Sequence, residues 1–271
     1  MRRVVAITGG ARGLGLATAT ELAGRGCRVA IGDLDADLAR AEAAALPGDG
    51  HAGYALDVTE QESFEAFLDA VERELGPLDV LVNNAGIMPV APLLQERPQV
   101  IRAQVEINLM GVITGTRLAL ARMVPRGRGH VVNLASGAGK VPVAGEATYS
   151  ATKHAVVGFD EALMGELAGT GVHVTTVMPS LANTELAAGL RPPRFVPLVK
   201  PGQVARAIAR AIERPRLDVF VPAWTGPIVR LQLILPTPMR AWLRRLFRIE
   251  GVTADIDTTA RAAYVERTTR V

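Results

Sequence analysis

Short apolar runs alternate with helical patterns along most of this 271-residue chain, and this alternation limits the folds open to it. Continuous apolar runs are typical of strands that are buried on both faces of a sheet. Seven such runs predict strands at Val4–Thr8, Arg28–Gly32, Gly53–Leu56, Val80–Asn83, His130–Leu134, His173–Met178 and Asp218–Pro222. The pattern predicts a single α/β domain over residues 1–271, with a seven-stranded, doubly wound parallel sheet and helices on both faces.

Local signals predict where some helices begin and end. Thr59-Glu60-Gln61-Glu62 has the pattern of a capping box and predicts a helix that runs toward Leu75. Gly76-Pro77 is typical of a helix end. After a variable flap at residues 185–200, Gln203–Arg214 predicts a helix before the last strand.

The composition argues against several classes of protein. No apolar stretch has the length of a transmembrane helix, and the N-terminal apolar run is too short for a signal peptide. Residues 201–250 hold nine arginines and three acidic residues but no nucleic-acid-binding motif, so we expect no nucleic-acid partner. The single cysteine, Cys27, predicts a small buried apolar residue, and its isolation fits a cytoplasmic location. His51, His130 and His173 lack metal-ligand partners, so no metal is expected.

A glycine-rich loop follows the first predicted strand, with the sequence Thr8-Gly9-Gly10-Ala11-Arg12-Gly13-Leu14-Gly15. Glycines let the backbone approach a pyrophosphate closely, and a helix N-terminus offers free N–H groups and a positive dipole end. The spacing differs from the G-x-G-x-x-G fingerprint. The loop predicts a dinucleotide-binding turn, and a turn without a ligand is the alternative.

An acidic residue, Asp33, ends the second predicted strand, at about the position where such folds bind the adenosine ribose. Its carboxylate would accept a hydrogen bond from the 2′-OH and repel a 2′-phosphate. This favours NAD over NADP. Arg12 argues the other way, because it could pair with a phosphate, although it could equally pair with Asp33.

Tyr149 and Lys153 are four residues apart and therefore share one face of a predicted helix. A lysine ammonium about 4 Å from the phenol would lower the tyrosine pKa by up to about three units, less the effect of desolvation. Tyr149 could then act as a general base for an alcohol or a general acid for a carbonyl. Ser136 follows a predicted strand end and could hold the substrate oxygen beside it.

Taken together and in this order, the motifs resemble those of the short-chain dehydrogenase/reductase family. The similarity covers residues 4 to about 190. Its elements are Thr8-Gly9-x-x-x-Gly13-x-Gly15, Asp57-Val58, Asn83-Asn84-Ala85-Gly86, Asn108, Ser136, Tyr149-Ser150-Ala151-Thr152-Lys153 and Pro179-Ser180-Leu181-Ala182-Asn183-Thr184. Ser180 departs from the family, which usually has glycine at this position beside the nicotinamide.

The resemblance implies a Rossmann-like fold and an NAD(P)-dependent oxidoreductase that interconverts an alcohol and a ketone or aldehyde. It implies that Lys153 also binds the nicotinamide ribose and that Asn108 holds a water in a proton relay. The expected catalytic residues are Asn108, Ser136, Tyr149 and Lys153. The expected cofactor-binding residues are Gly9, Arg12, Gly13, Leu14, Gly15, Asp33, Asp57, Val58, Asn84, Ala85, Gly86, Tyr149, Lys153, Pro179, Ser180 and Thr184.

The C-terminal extension, residues 226–271, contains a basic amphipathic helix. Its apolar residues are Met239, Trp242, Leu243, Leu246 and Phe247, and its basic stripe is Arg240, Arg244 and Arg248. Packing on the pocket or on a neighbouring subunit is one interpretation, and peripheral contact with an anionic membrane is the other. Either suits a lipophilic substrate.

Two alternatives stand beside this oxidoreductase. One is an NADPH-dependent ketoacyl-type reductase, and the other is a non-catalytic dinucleotide sensor on the same fold. The resemblance also implies a homodimer or homotetramer, formed through helices near residues 100–124 and 148–168.

Overall fold

A computed structural model describes residues 2–253 and 256–268. Parts of the predicted C-terminal extension, residues 254–255 and 269–271, lie outside these ranges. The strands are β1 Val4–Thr8, β2 Arg28–Asp33, β3 Ala52–Ala55, β4 Val80–Asn83, β5 Gly129–Leu134, β6 Val172–Pro179 and β7 Asp218–Val221. The helices are α1 Gly13–Gly24, α2 Ala36–Ala45, α3 Gln61–Leu75, α4 Pro98–Val105, α5 Gly111–Met123, α6 Ala147–Glu166, α7 Pro201–Glu213, α8 Thr225–Ile234, α9 Thr237–Leu246 and α10 Thr258–Thr268.

The seven strands form one parallel sheet in the order β3-β2-β1-β4-β5-β6-β7, which confirms the predicted doubly wound sheet. The order reverses between β1 and β4, where Val5 pairs with Val80 and Ile7 with Val82. Connections leave β1 and β4 in opposite directions, so a crevice opens beyond their carboxyl ends. Ligands of such sheets bind at this position.

Both faces of the sheet are covered, as the continuous apolar strands predict. Val5 and Ile7 of β1 pack toward Leu22 of α1 and Ile208 of α7. Ala6 of the same strand faces the opposite layer, which includes the fully buried Phe64 of α3. The two layers leave the carboxyl ends of the strands as the place where loops can build a site.

The predicted capping box at the start of α3 is absent. Helix α3 begins at Gln61, and the residue before it, Glu60, makes no side-chain cap. The Thr59 hydroxyl instead donates to Asp57 Oδ1 at 2.7 Å, and the Thr59 amide donates to the same oxygen at 2.9 Å. Asp57 therefore accepts the hydrogen bond from the Thr59 amide that Glu62 would accept in a capping box. Gly76, at φ +100°, ends the helix as predicted.

Cys27 is half-buried and packs against the edge of the core, so it is less buried than the sequence predicts. It is the first residue after the turn that follows α1. None of the described helices combines the length and hydropathy that crossing a bilayer requires.

A buried polar chain ties α6 to three strands. Asp160 of α6 accepts hydrogen bonds from Asn133 Nδ2 at 2.6 Å and from the Thr176 hydroxyl at 2.7 Å. Asn133 in turn accepts from Asn83 Nδ2 at 2.8 Å. Burial raises the pKa of Asp160 from its usual 3.8 to about 7, although the two hydrogen bonds oppose the shift.

This raised pKa predicts that Asp160 makes stability fall as pH rises. Between pH about 4 and about 7 the folded protein keeps a proton that the unfolded chain has released, so raising the pH favours unfolding. In Asp160→Asn this contribution disappears, and urea unfolding should show a weaker loss of stability from pH 5 to pH 7. Glu161→Gln, at an exposed neighbouring position, is the control. Identical pH slopes for wild type and Asp160→Asn would contradict the prediction.

Candidate active site

A cavity of about 800 Å³ opens at the carboxyl ends of the strands, at the reversal between β1 and β4. Its wall contains most of the residues that the sequence singled out. These are Gly9, Arg12, Gly13, Leu14, Asp33, Asp57, Val58, Asn84, Ala85, Gly86, Ser136, Tyr149, Lys153, Pro179, Ser180 and Thr184. Gly15 and Asn108 are not on the wall, and each supports it from behind.

The glycine loop is packed so tightly that side chains cannot replace its key glycines. Gly9, at φ +59°, has the backbone of Ala85 only 2.9 Å from where a Cβ would lie. A Cβ on Gly15 would lie 2.7 Å from Asn84 Nδ2 and closer still to the Gly9 carbonyl oxygen. Asn84 Nδ2 itself donates to the carbonyls of Thr8 and Gly9. The Asn-Asn-Ala-Gly segment after β4 therefore fixes the shape of the loop after β1.

Acidic side chains line the wall beyond β2. Asp33 Oδ2 accepts from the Ala11 amide at 3.1 Å, and its Oδ1 accepts from the Asp35 amide at 3.2 Å. Arg12 pairs with Asp35 at 2.9 Å, not with Asp33 as the sequence allowed. Both partners are about half exposed, so the pair is worth little energetically. It nevertheless places a second carboxylate beside Asp33.

Tyr149 lies in the first turn of α6 and is 6% exposed. Burial raises the pKa of its phenol well above the usual value, and a hydrogen bond with Ser136 acts in the opposite direction. The Ser136 hydroxyl also accepts from the Ala138 amide at 3.1 Å. Tyrosine and serine oxygens thus lie together on the cavity wall, as the sequence predicted.

Lys153 lies one turn farther along α6 and is 4% exposed. Its ammonium donates to the Leu134 carbonyl at 2.7 Å and lies 5.8 Å from the centre of the Tyr149 ring. Burial lowers the pKa of Lys153 to about 8. The pKa of Tyr149 is thus shifted upward, opposite to the lowering expected from the sequence, because burial of the phenol dominates.

Asn108 lies in a π-helical turn, Glu106–Met110, between α4 and α5. Its Oδ1 accepts from the Ile87 amide and its Nδ2 donates to the Ile87 carbonyl, both at 2.8 Å. A Cβ on Gly86 would lie 3.1 Å from Asn108 Oδ1 and 3.7 Å from Lys153 Nζ. Such turns are frequent at functional sites. Here the turn directs Asn108 into the backbone behind the cavity, close to Lys153.

The segment after β6 covers the cavity from the opposite side. A Cβ on Gly13 would meet Thr184 Cγ2 at 3.6 Å, so Thr184 lies over the glycine loop. The Ser180 amide donates to Val221. Its hydroxyl oxygen is buried and has no hydrogen-bond partner among the described residues. An unpaired buried hydroxyl on a cavity wall suggests that a bound ligand completes its hydrogen bonding.

The C-terminal extension contributes wall residues that the sequence reasoning missed. Tyr264 of α10 lines the cavity, and its hydroxyl accepts from the Met88 amide at 2.7 Å. The guanidinium of Arg261 donates to the carbonyls of Leu186, Ala188 and Met88. No local pattern marks these contacts, since the partners are more than 70 residues away. Glu146, the residue before α6, also lines the cavity and was also missed, although its position three residues before Tyr149 was an available signal.

The donor set fits a dinucleotide and shows no sign of a metal. The described residues contain no cluster of three or more His, Cys, Asp or Glu side chains suited to a metal ion. A carboxylate at the end of β2, a glycine cradle and the unpaired Ser180 hydroxyl line one and the same cavity. In that sequence these groups suit the ribose, the pyrophosphate and the polar aromatic ring of a dinucleotide.

Comparisons with known proteins agree with this arrangement. The family model described as short chain dehydrogenase matches residues 3–194. D-threitol dehydrogenase of Mycolicibacterium smegmatis is 40% identical over 186 residues, covering 68% of this chain and 72% of that protein.

Two solved structures resemble more than four fifths of the chain. A short chain dehydrogenase/reductase of Burkholderia phymatum in complex with NAD has a TM-score of 0.77 and 26% identity, covering 85% of this chain and 92% of that one. A 3-ketoacyl-(acyl-carrier-protein) reductase of Brucella melitensis complexed with NADH has a TM-score of 0.73 and 28% identity, covering 82% and 98%.

Proposed function

The chain belongs to the short chain dehydrogenase family and is an NAD(P)-dependent oxidoreductase acting on CH–OH groups, and we propose that it uses NAD with Tyr149 as general acid and base. The observation that carries the proposal is the single cavity that joins the glycine loop to the buried Tyr149 and Ser136. The test is turnover of NAD with secondary alcohols, compared between wild type and Tyr149→Phe.

In this proposal four groups of residues on and behind the cavity wall hold the parts of the cofactor. The loop from Gly9 to Gly15, with Leu14 and Thr184, binds the pyrophosphate. Asp33, Asp57 and Val58 bind the adenosine end, and Asn84, Ala85 and Gly86 support its middle. Lys153, Pro179 and Ser180 bind the nicotinamide end, where the unpaired Ser180 hydroxyl is available for its polar groups.

A bound nicotinamide would accept a hydride from an alcohol carbon or supply one to a carbonyl carbon. The chain's own residues move the proton and hold the substrate oxygen. Ser136 donates a hydrogen bond to that oxygen, and Tyr149 exchanges the proton with it. The raised pKa of Tyr149 keeps the phenol protonated, which suits carbonyl reduction directly. For alcohol oxidation, a bound oxidised nicotinamide would add positive charge beside the phenol and would favour its ionised form.

Lys153 has two further roles in this proposal. Its ammonium, held by the Leu134 carbonyl, reaches the nicotinamide ribose hydroxyls. Its neighbour Asn108 is bonded to the Ile87 backbone and carries the proposed water of a proton relay. Because burial lowers the pKa of Lys153 to about 8, the lysine can release and regain a proton near neutral pH.

We propose NAD rather than NADP because two carboxylates line the adenosine end of the cavity. Asp33 and Asp35 would both repel a 2′-phosphate, and Arg12 is already paired with Asp35. The solved structure of the Brucella melitensis 3-ketoacyl-(acyl-carrier-protein) reductase is likewise complexed with NADH. The ketoacyl-type reductase stays the second candidate, and the dinucleotide sensor is disfavoured by the assembled Ser136 and Tyr149.

This proposal predicts a preference for NADH over NADPH, and removing the charge of Asp33 should weaken that preference. Wild type should bind NADH at least about tenfold more tightly than NADPH, since a phosphate beside a carboxylate is repelled. Asp33→Asn keeps an acceptor for Ala11 but removes the charge, so the preference should fall about tenfold. Cofactor fluorescence titration measures both affinities. Asp37→Asn, on the exposed start of α2, is the control. Tighter binding of NADPH by wild type would overturn the NAD assignment.

The small-molecule substrate is proposed to be lipophilic, because many apolar side chains line the far end of the cavity. Among them are Leu243 and Phe247 of the α9 region and Val229 of α8. This contact supports the interpretation that the C-terminal helices pack on the pocket of their own subunit.

The outer surface of the same helices keeps the membrane interpretation open. Ile234 is 80% exposed and Trp242 is 61% exposed, next to the exposed Arg240 and Arg245. Co-sedimentation with anionic vesicles tests this contact, and pelleting equal to that with neutral vesicles would refute it. A cytoplasmic location and a homodimer or homotetramer through α5 and α6 stay predictions.

A further inference from the structure

Glu146 is a buried acidic residue on the wall of the proposed substrate end of the cavity. It is 5% exposed, and its Oε1 has no hydrogen-bond partner among the residues that the structure describes. Buried carboxyl oxygens are almost always hydrogen-bonded, because leaving them unpaired is costly. An unpaired oxygen on a cavity wall is therefore accounted for if a ligand supplies the missing donor.

The fold does not use the Glu146 side chain in its usual structural role. The residue immediately precedes α6, a position where acidic side chains often cap the helix, but it makes no side-chain cap. Its amide donates to the Val143 carbonyl and its carbonyl accepts from the Ser150 amide. The backbone is fixed while the carboxyl group is turned toward the cavity.

The charges around Glu146 restrict what it can bind. Arg261 attracts the carboxylate, but the Arg261 guanidinium itself donates to three backbone carbonyls. Burial outweighs this attraction and raises the pKa of Glu146 to about 7. A partly ionised carboxyl group disfavours an anionic ligand, and the nearby arginine disfavours a cationic one. A neutral hydroxyl group can donate a hydrogen bond to the Glu146 carboxyl oxygen without either electrostatic cost.

Glu146 is also close to the reacting group. It precedes Tyr149 by three residues, so the two share one face of the chain at the start of α6. Its charge contributes to the raised pKa of Tyr149. A ligand whose oxygen meets Tyr149 and Ser136 can therefore reach Glu146 with a second group a few atoms away.

We propose that Glu146 is a specificity-determining residue that accepts a hydrogen bond from a second hydroxyl group of the substrate. The preferred substrates are then diols or hydroxyketones with an otherwise apolar frame. This inference rests on the proposed function, because it assumes that Tyr149 meets the reacting oxygen.

The experiment compares matched pairs of alcohols. Secondary monoalcohols are assayed with NAD beside vicinal and longer-spaced diols of the same carbon skeleton, for wild type, Glu146→Leu and Glu146→Gln. Wild type should favour at least one diol by about tenfold or more in kcat/KM. Glu146→Leu should lose that preference, mainly through KM, so that kcat/KM falls about tenfold more for the diol than for its matched monoalcohol. Glu146→Gln should retain most of the preference, because its amide oxygen still accepts.

Controls separate this inference from the function on which it rests. Glu161→Gln, at an exposed position on the same helix, should leave kcat/KM unchanged for both monoalcohols and diols. NADH affinity should be unchanged in all variants, which reports an intact fold. Equal kcat/KM for every matched pair in wild type, or equal losses for both classes in Glu146→Leu, would overturn the role of Glu146 alone. No turnover of any alcohol or carbonyl would overturn the proposed function itself.

Discussion

Replacing Tyr149 with phenylalanine is expected to lower kcat by about 10²- to 10⁴-fold in both directions. The variant removes one oxygen from a buried ring and leaves the ring's packing in place. Ser136 can still hold the substrate oxygen, but no group remains to exchange its proton. Steady-state rates with alcohol and NAD, and with carbonyl and NADH, measure the effect.

Cofactor affinity distinguishes lost chemistry from a damaged site. NADH should bind Tyr149→Phe within about threefold of wild type, because the glycine loop is untouched. Tyr54→Phe is the matched control. The Tyr54 hydroxyl donates a hydrogen bond to Glu74 of α3, and Tyr54 does not line the cavity. Its kcat should be unchanged. A Tyr149→Phe enzyme that keeps more than a tenth of wild-type kcat would show that another group transfers the proton.

Replacing Gly15 with alanine is expected to disrupt the cofactor loop. The added methyl group would be pressed against the Gly9 carbonyl and Asn84 Nδ2, neither of which can move without breaking hydrogen bonds. Overpacking of this kind costs about 1–3 kcal/mol of unfolding free energy. The displaced loop should also lose hydrogen bonds to the pyrophosphate, raising the Kd for NADH about 10- to 100-fold.

Gly24, at the other end of the same helix, provides the control. A Cβ placed on Gly24 meets no heavy atom within 4 Å, so Gly24→Ala introduces no clash. It lowers the backbone entropy that the helix loses on folding. It should raise the free energy of unfolding by up to about 1 kcal/mol and leave NADH affinity unchanged. Urea unfolding and fluorescence titration measure both variants. Equal NADH affinity in Gly15→Ala and wild type would show that the loop does not bind the cofactor.

The sequence predicted the sheet because its strands are continuous apolar runs, which are typical of strands buried on both faces. Val4–Thr8 and Val80–Asn83 were located to the residue, and the motifs at the strand ends meet because a parallel sheet gathers its carboxyl ends at one edge. Local signals were less dependable where two hydrogen-bonding options competed. The absent capping box at Thr59 is the example, because the Thr59 amide donates to Asp57 instead of Glu62.

Features set by burial and by distant contacts could not be predicted from local pattern. The raised pKa of Tyr149 arises from the whole surrounding wall, not from its spacing to Lys153. The pairing of Arg12 with Asp35 depends on how the loop after β2 turns. Tyr264 reaches the cavity from a helix whose sequence gives no sign of its position.

The most direct test of the central claim is deuterium transfer from a secondary alcohol, labelled at its carbinol carbon, to NAD. Mass spectrometry of the recovered NADH detects the label. The account predicts one deuterium per NADH formed by wild type and almost none with Tyr149→Phe, although both bind NAD. Tight NAD binding by wild type without label transfer from any alcohol, lipophilic or diol, would contradict the assignment of the cavity as an NAD-dependent alcohol site.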